Sequence, residues 1–314
     1  MAEALDQPRL RGVLAPVVTP FGADLRPDPA RLARHCHWLV DQGVGLAVFG
    51  TNSEANSLSV AEKIGLLEAL LAAGLPPERL MPGTGCCAFP DSVELTRAAV
   101  RLGCAGVLML PPFYYKGVSD EGLFRSYAEV IERVGESRLR IYLYHIPPVS
   151  QIPLSLALIE RLLDAYPGTI AGIKDSSGDW SNTQAMLERF RARGFDVFAG
   201  SESFLLATLR GGGAGCITAT GNVNPAPIAR LASDWRAADA DRQQAALVAV
   251  RTVFQQLPMI PALKAAIAHF ADDPEWSRVR PPLIELDAAQ QRTLTQALES
   301  LGFSMPGLAV ESAA

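Results

Sequence analysis

The 314-residue sequence predicts an α/β fold, a (β/α)8 TIM barrel followed by a C-terminal three-helix extension. Short β-branched or apolar runs alternate eight times with amphipathic helical patterns, which is typical of a parallel sheet. No Gly-x-Gly-x-x-Gly follows the first strand, which weakens the main alternative, an open doubly wound sheet. The residues after the eighth unit have helical character and lie outside the barrel count. We therefore expect a catalytic barrel over residues 1–235 and a helical extension over residues 236–314.

Eight segments carry the predicted strands, because each is short, apolar and bounded by turn residues. They are Gly12–Val18, Leu46–Gly50, Leu80–Gly83, Gly106–Leu110, Arg140–Ile146, Thr169–Lys174, Asp196–Ala199 and Gly215–Thr218.

Helical patterns of period 3.6 lie between and after these strands. They are Pro29–Gln42, Val60–Ala73, Asp91–Leu102, Asp120–Val134, Leu154–Ala165, Asn182–Arg193, Ser203–Arg210 and Pro225–Trp235, then Asp241–Gln256, Pro261–Phe270 and Asp287–Leu301. Ser59 with Glu62 predicts a capping box at the start of the second helix, and Ser119 predicts an N-cap before Asp120.

Composition narrows the function class. The net charge of −5 and the absence of basic runs interleaved with aromatics argue against nucleic-acid binding. Met1–Leu10 has no apolar core and no run of about 18 apolar residues occurs, so neither a secretory leader nor a membrane span is expected. Five cysteines without Cys-x-x-Cys spacing suit reduced thiols in the cytoplasm. The four histidines show no metal-ligand spacing, so we expect no metal.

Lys174 ends an apolar run that reads as a buried strand. Burial disfavours the ammonium form and lowers the pKa of a lysine, which leaves an amine able to attack a carbonyl. That chemistry makes Lys174 a candidate Schiff-base nucleophile. The alternative is a lysine that reaches solvent or pairs with a carboxylate such as Asp175.

Barrel geometry predicts which segments meet at the active face, because catalytic residues lie at the C-terminal ends of barrel strands. The segments at those ends are Thr19–Pro20, Gly50–Glu54, Pro111–Lys116, Tyr144–Pro147, Lys174–Ser177, Gly200–Ser203 and Thr218–Asn222.

Five motifs in this order resemble the dihydrodipicolinate synthase / N-acetylneuraminate lyase family. They are Gly50-Thr51-x-x-Glu54, Tyr114-Tyr115, Tyr144-x-Ile146-Pro147, Gly172-Ile173-Lys174-Asp175 and Pro261-x-x-Lys264. The resemblance covers nearly the whole chain. It implies a class I aldolase on a (β/α)8 barrel with three extra helices, assembled as a homotetramer built from dimers.

The resemblance also implies roles for the site residues. Lys174 matches the lysine that forms an imine with pyruvate or another 2-oxoacid, with no separate cofactor. Tyr144 matches the proton-shuttling tyrosine, and Thr51 and Tyr115 match a hydroxyl relay that Tyr115 completes across a subunit interface. Thr51 and Asn52 are expected to hold the substrate carboxylate.

Simpler roles stay open for several of these residues. Tyr144 is alternatively a barrel tyrosine with a satisfied hydroxyl. Tyr114 and Tyr115 are alternatively interface aromatics, and the relay role can fall to either. Glu54 is expected to cap the helix behind its loop rather than to act in catalysis.

Two departures from the family pattern bear on function. Ser53 stands where glycine is usual and tolerates positive φ less well, so a displaced loop is expected. Val149 stands where the synthase carries an arginine for its second substrate's carboxylate, a charged contact that valine cannot make. The lyase and sugar-acid aldolase branches carry an apolar residue there. These branches bind the polyol tail of the substrate through polar side chains. The candidates for that role in this chain are Ser176, Ser201, Glu202 and Thr218.

Three functions follow. The first is a Schiff-base lyase that cleaves a 2-keto-3-deoxy sugar acid, or a similar 2-oxoacid, reversibly to pyruvate and an aldehyde. The second is a dihydrodipicolinate synthase that condenses pyruvate with aspartate semialdehyde. The third, from another class, is a catalytically silent barrel that binds a 2-oxoacid.

Overall fold

The structure is a computed structural model and describes residues 9–308. Most of Met1–Leu10, from which we expect no secretory leader, lies outside the described residues. The last six residues of the predicted helical extension, 309–314, also lie outside them.

Seven strands occur in the described part of the chain, and they pair in parallel. They are β1 Gly12–Ala15, β2 Gly45–Leu46, β3 Val107–Met109, β4 Ile141–His145, β5 Ile170–Asp175, β6 Asp196–Ala199 and β7 Gly215–Ile217. The predicted α/β class with a parallel sheet is confirmed, and most predicted strands extend one or more residues beyond the observed ones.

The predicted third strand, Leu80–Gly83, is the exception. It forms a single parallel bridge, between Gly83 and Leu108 of β3, in which the Leu108 N–H donates to the Pro82 carbonyl at 2.9 Å. Pro82 has no N–H to donate on the next rung, so the ladder is interrupted. The prediction of eight regular strands is therefore wrong at this segment.

Twelve α-helices lie within residues 9–308. They are α1 Pro29–Asp41, α2 Val60–Ala72, α3 Phe89–Arg101, α4 Asp120–Val134, α5 Pro147–Ser150, α6 Leu156–Ala165, α7 Trp180–Phe190, α8 Leu205–Arg210, α9 Pro225–Ser233, α10 Ala240–Gln255, α11 Met259–Phe270 and α12 Ala288–Ser300. Eleven correspond to predicted helices, and α5 is a short helix that the sequence pattern does not reveal.

The predicted caps are present. Ser59 Oγ accepts the Glu62 N–H at 3.1 Å and the Glu62 carboxylate accepts the Ser59 N–H at 2.9 Å, which completes the capping box of α2. Ser119 Oγ accepts the Gly122 N–H at 3.2 Å at the start of α4. That helix ends at Gly135 in the left-handed region, with φ of 65°.

The chain divides into two compact units. The first comprises residues 9–12 and 76–217 and holds β3 to β7, which pair in chain order, with α3 to α8. The second comprises residues 13–75 and 218–308 and holds the β1–β2 pair with α1, α2 and α9 to α12. Within the second unit α11 packs against α10 and α12, and its residues from Pro261 to Ala268 are buried.

Within residues 9–308, none of the helices taken singly has the length and apolar character needed to cross a bilayer; α10 and α11, bent by 107° where they meet, pass that test only as a pair.

Candidate active site

Lys174 and Tyr144 share one rung of the sheet in the first unit. They are Cα partners in the parallel register of β4 and β5, one residue before each strand ends. The Lys174 Nζ lies 4.3 Å from the centroid of the Tyr144 ring. Both side chains are buried, with 2% and 3% of their surface exposed. The predicted pairing of a buried lysine with this tyrosine at the C-terminal ends of two strands is present.

The alternative roles considered for Lys174 do not describe its surroundings. The residue is too deeply buried to reach bulk solvent, and no carboxylate of residues 9–308 lies within ion-pair distance of its amine. Asp175 is its chain neighbour but turns to the opposite face of the strand, where it contacts His145. The amine is therefore placed against an aromatic face and is not neutralised by an acid.

Lysine is scarce in this chain. Only Lys63, Lys116, Lys174 and Lys264 occur among 28 basic residues, so arginine carries most of the positive charge. Lys116 donates to the Ser150 carbonyl at 2.8 Å, and Lys264 donates to Glu54 at 2.6 Å. Arginine cannot serve as a nucleophile because it stays protonated, whereas lysine can lose its proton.

Gly172 accounts for the glycine of the Gly172-Ile173-Lys174-Asp175 motif. A Cβ there would lie 2.3 Å from the Asp196 carbonyl oxygen and 2.7 Å from the Tyr142 ring. Asp196 is the register partner of Gly172 on β6, so the two backbones approach too closely for a side chain. The strand that carries Lys174 is thus held between its neighbours by close packing.

Tyr114 and Tyr115 lie on the surface of the first unit, in the loop after β3. Their side chains are 74% and 75% exposed, and their rings contact each other edge to face at 5.3 Å. The Tyr115 hydroxyl makes no hydrogen bond to another described residue. The structure of one chain therefore does not bring Tyr115 to Lys174, and its relay role remains a prediction.

The predicted polyol-binding residues of the first unit lie after β5 and β6. Ser176 is half-buried, and its N–H donates to the His145 carbonyl at 2.7 Å. Ser201 Oγ accepts the Ser203 N–H at 3.1 Å, so this hydroxyl caps the turn that follows. Glu202 is 1% exposed. Their contact with a substrate stays a prediction.

Thr51 begins a 3-10 turn in the second unit, Thr51–Ser53. Ser53 Oγ accepts the Gly50 N–H at 3.1 Å, and the Ser53 carbonyl accepts the Thr19 hydroxyl at 2.7 Å. The left-handed residues of this loop are Phe49 and Glu54, with φ of 62° and 56°. Position 53 therefore needs no positive φ, and the Ser53 hydroxyl closes the turn. A displacement of this loop relative to the family stays a prediction.

Glu54 anchors a buried ion pair. Its Oε1 accepts from the Lys264 Nζ at 2.6 Å, its Oε2 accepts the Arg280 N–H at 2.9 Å, and both side chains of the pair are fully buried. Burial lowers the pKa of Lys264 to about 8, against the attraction of Glu54. The expectation that Glu54 caps a helix is wrong, and its partner comes from the Pro261-x-x-Lys264 motif.

Thr218, at the end of β7, is also in the second unit and is fully buried. Its Oγ1 accepts from the Arg251 Nη1 at 3.1 Å. Arg251 lies in α10, and sequence patterns gave no reason to select it, because an arginine in an amphipathic helix is ordinarily a solvent-facing residue. Among the residues that the structure describes, no three His, Cys, Asp or Glu side chains are grouped as metal ligands.

The model of the dihydrodipicolinate synthetase family matches residues 9–301. The chain belongs to this family. An uncharacterized DapA-like lyase of Chloroflexus aurantiacus is 34% identical over 295 residues, covering 93% of this chain and 97% of that protein.

Two solved structures of the family have closely similar folds. Dihydrodipicolinate synthase from Agrobacterium tumefaciens str. C58 is 30% identical, with a TM-score of 0.86 over 92% of this chain and 99% of that one. YagE from Escherichia coli K12, a prophage protein of the same family in complex with pyruvate, is 28% identical, with a TM-score of 0.85 over 93% and 99%.

Family membership gives Val149 its significance. This residue lies in α5, directly after the strand that carries Tyr144, and 63% of its side chain is exposed. His145 ends the same strand, but its ring contacts Asp175 on the strand face opposite Tyr144. Val149 is therefore the better specificity candidate in the first unit.

Proposed function

We propose that this chain is a pyruvate-dependent class I aldolase, a lyase in which Lys174 forms an imine with a 2-oxoacid. The observation that carries the proposal is the buried Lys174 amine, which has no acidic partner and lies against Tyr144. Membership of the dihydrodipicolinate synthetase family supports it independently.

The chemistry begins with attack of the neutral Lys174 amine on the C2 carbonyl of the 2-oxoacid. Loss of water gives an imine, and its protonated form withdraws electrons from the carbons beside it. The bond between C3 and C4 then breaks. Its electron pair forms an enamine on Lys174, and the C4 hydroxyl becomes an aldehyde after it loses its proton. Protonation of the enamine at C3 and hydrolysis release pyruvate and regenerate the amine.

Tyr144 is the group that moves the proton of the C4 hydroxyl. A phenol suits this step because one oxygen can both accept and donate a proton. Thr51 and Tyr115 complete the relay in this proposal, with Tyr115 contributed across a subunit interface. The exposure of Tyr115 in a single chain is compatible with such a contact.

The substrate that we propose is a 2-keto-3-deoxy sugar acid or a similar 2-oxoacid. Val149 supports this choice, because an exposed valine cannot form the charged contact that a second carboxylate requires. YagE, whose provisional name is 2-dehydro-3-deoxy-D-gluconate aldolase, is 30% identical over 300 residues when the sequences alone are aligned, and this alignment covers 92% of this chain. Thr51 and Asn52 would bind the carboxylate, and Ser176, Ser201, Glu202 and Thr218 would face the polyol.

The second candidate is 4-hydroxy-tetrahydrodipicolinate synthase. Several relatives carry that name, including a protein of Saccharophagus degradans that is 30% identical over 296 residues. Both candidate enzymes form the same imine with pyruvate. They differ in whether the enamine meets an aldehyde from a sugar acid or aspartate semialdehyde.

The remaining architecture belongs to the same proposal. We propose that the sheet closes as a (β/α)8 barrel, that α10 to α12 form the family's C-terminal extension, and that the protein assembles in the cytoplasm as a homotetramer. Light scattering combined with activity tests the assembly, since a fully active monomer would contradict a relay residue from a neighbouring subunit.

Borohydride reduction in the presence of pyruvate tests the chemistry. We expect irreversible inactivation and a reduced pyruvate adduct on Lys174 by peptide mass mapping. Lys264, the fully buried lysine that pairs with Glu54, is an internal control and should stay unmodified. Wild-type protein without an adduct would exclude both enzymatic candidates and leave the silent barrel.

Coupled assays then separate the two enzymes. Pyruvate release from a panel of keto-deoxy sugar acids, with no turnover of aspartate semialdehyde, is the expected result. Val149→Arg supplies the cation that the synthase carries at this position for the carboxylate of its second substrate. It should therefore lower sugar-acid turnover and raise semialdehyde turnover from its base level. Rapid semialdehyde turnover by wild-type protein would show that the argument from Val149 is wrong.

A further inference from the structure

A buried polar cluster lies behind the two strands that carry Tyr144 and Lys174. We call it the Asp175 cluster; its members are Asp175, His145, Ser177, Asn182 and Thr183. His145 and Asp175 are register partners on the final rung of β4 and β5, next to the rung of Tyr144 and Lys174. Neighbouring residues of a strand point to opposite faces, so the cluster lies on the reverse side from the Lys174 amine.

Asp175 receives five hydrogen bonds although it is only 3% exposed. Its Oδ2 accepts from Thr183 Oγ1 at 2.6 Å, Asn182 Nδ2 at 3.1 Å and Ser177 Oγ at 3.1 Å. Its Oδ1 accepts from the Ser177 N–H at 3.0 Å and from His145 Nδ1 at 3.2 Å. Burial raises the pKa of Asp175, but the bonds from His145, Thr183 and Ser177 outweigh it and hold that pKa below its usual value.

These bonds tie three elements to the residue after Lys174. His145 belongs to β4, Ser177 to the turn after β5, and Thr183 to the first turn of α7. The backbone is held as well, because the Ser176 N–H donates to the His145 carbonyl and the Gly200 N–H donates to the Asp175 carbonyl, both at 2.7 Å. The carboxylate thus fixes the end of β5 from the side opposite the amine.

The His145 ring indicates that this arrangement is not optimised for stability alone. The Nδ1 atom of His145 faces the Asp175 carboxylate, so Nε2 is the ring nitrogen that lies outside this contact. That Nε2 is buried and has no hydrogen-bond partner among the described residues. A buried polar atom without a partner destabilises a fold. Sites that break a local rule in this way are often functional.

We propose that Asp175 is a positioning residue for Lys174, and this inference rests on the imine-forming function proposed above. The Lys174 amine contacts a ring face and no acid, so its location depends on the strand that carries it. Displacement of a reacting group by about 1 Å can lower a rate about 100-fold. The Asp175 cluster prevents such displacement because it fixes the end of β5, one residue after Lys174.

The test compares two buried aspartates. Asp175→Asn removes the charge of the cluster, and Asp196→Asn is the matched control, since Asp196 is also 3% exposed and lies on β6. Asp196 is the register partner of Gly172, two residues before Lys174, and pairs with Arg11 at 2.9 Å. The readouts are thermal stability and the single-turnover rate of imine formation with pyruvate, trapped with borohydride.

We expect Asp175→Asn to form the imine about 10- to 100-fold more slowly per folded molecule, with trapping still reaching completion. Asp196→Asn should lose stability but keep a rate within about threefold of wild type. Equal rate losses in both variants, or a wild-type rate in Asp175→Asn, would overturn the positioning role. Wild-type protein that forms no imine would instead overturn the proposed function and this inference with it.

A second pair of variants keeps the test informative if Asp175→Asn does not fold. Thr183→Val has nearly the shape of threonine but loses the 2.6 Å hydrogen bond to Asp175, whereas Thr183→Ser retains it. We expect slower imine formation in Thr183→Val and a nearly normal rate in Thr183→Ser. Equal rates in the two variants would contradict a role for the carboxylate's hydrogen bonds.

Discussion

Tyr144 lies opposite Lys174 because the β4–β5 register shifts by one residue. Ile141 pairs with Ile170, but the next pair is Tyr142 with Gly172. An unbroken register from Ile141 would have placed Tyr144 beside Ile173, on the other face of the strand from Lys174. The irregularity therefore creates the contact between the amine and the ring.

The hydroxyl and the ring of Tyr144 should be separable by mutation. Tyr144→Phe keeps the ring beneath the Lys174 amine and removes the hydroxyl, so we expect turnover to fall at least about 100-fold while the imine still forms. Tyr144→Ala removes the ring as well and should slow imine formation too. Steady-state turnover and single-turnover trapping measure the two steps. Near-normal turnover in Tyr144→Phe would remove the hydroxyl from the mechanism.

The sequence was sufficient to predict the location of Lys174 but not its pairing with Tyr144. An apolar run that ends in one lysine predicts a buried strand end, because the cost of burying a charge makes such a lysine unusual. The register shift between Ile141 and Tyr142 has no comparable signal, since a bulge is a response to neighbouring strands. Local patterns also could not reveal the partner of Glu54, which lies 210 residues away.

Loss of one partner of the Glu54–Lys264 ion pair should destabilise the second unit strongly. Lys264→Met leaves the Glu54 carboxylate buried without its cation, which we expect to cost about 3–5 kcal/mol of unfolding free energy. The double variant with Glu54→Gln should recover at least about 1 kcal/mol, because glutamine is neutral and can still accept the Arg280 N–H. Urea unfolding of the four proteins of this cycle measures the coupling. Additive effects would contradict a direct pair.

His35 should make the protein sensitive to mild acid. Burial lowers the pKa of His35 to about 3, with its ring stacked on Trp38 at 5.5 Å and meeting Trp276 edge-on at 5.1 Å. In the unfolded chain this imidazole takes up a proton near its ordinary pKa of 6.5, while in the folded chain it stays neutral. Its contribution to stability is therefore complete above pH 6.5 and is lost as the pH falls toward 3, by up to about 1.4 kcal/mol per pH unit.

His35→Phe retains an aromatic ring and cannot titrate, so its urea midpoint should fall less steeply than that of wild type between about pH 7 and pH 4. His37→Phe is the matched control, because His37 lies two residues along α1 and is only half-buried, with its Nε2 2.9 Å from the Ala73 carbonyl. An unchanged slope in His35→Phe would assign the acid sensitivity to other groups.

The same substitution should have opposite effects at two glycines. Gly172→Ala on β5 places a Cβ 2.3 Å from the Asp196 carbonyl oxygen, where neither strand can yield without breaking the register beside Lys174. We expect it to destabilise the fold by about 3 kcal/mol or more and to slow imine formation.

Gly65 is an exposed glycine inside α2, where a Cβ would meet no atom within 4 Å. Gly65→Ala should therefore stabilise the protein by up to about 1 kcal/mol and leave imine formation unchanged. Urea unfolding and single-turnover trapping of both variants make the comparison, and a stable, fully active Gly172→Ala protein would contradict the role assigned to close packing at this motif.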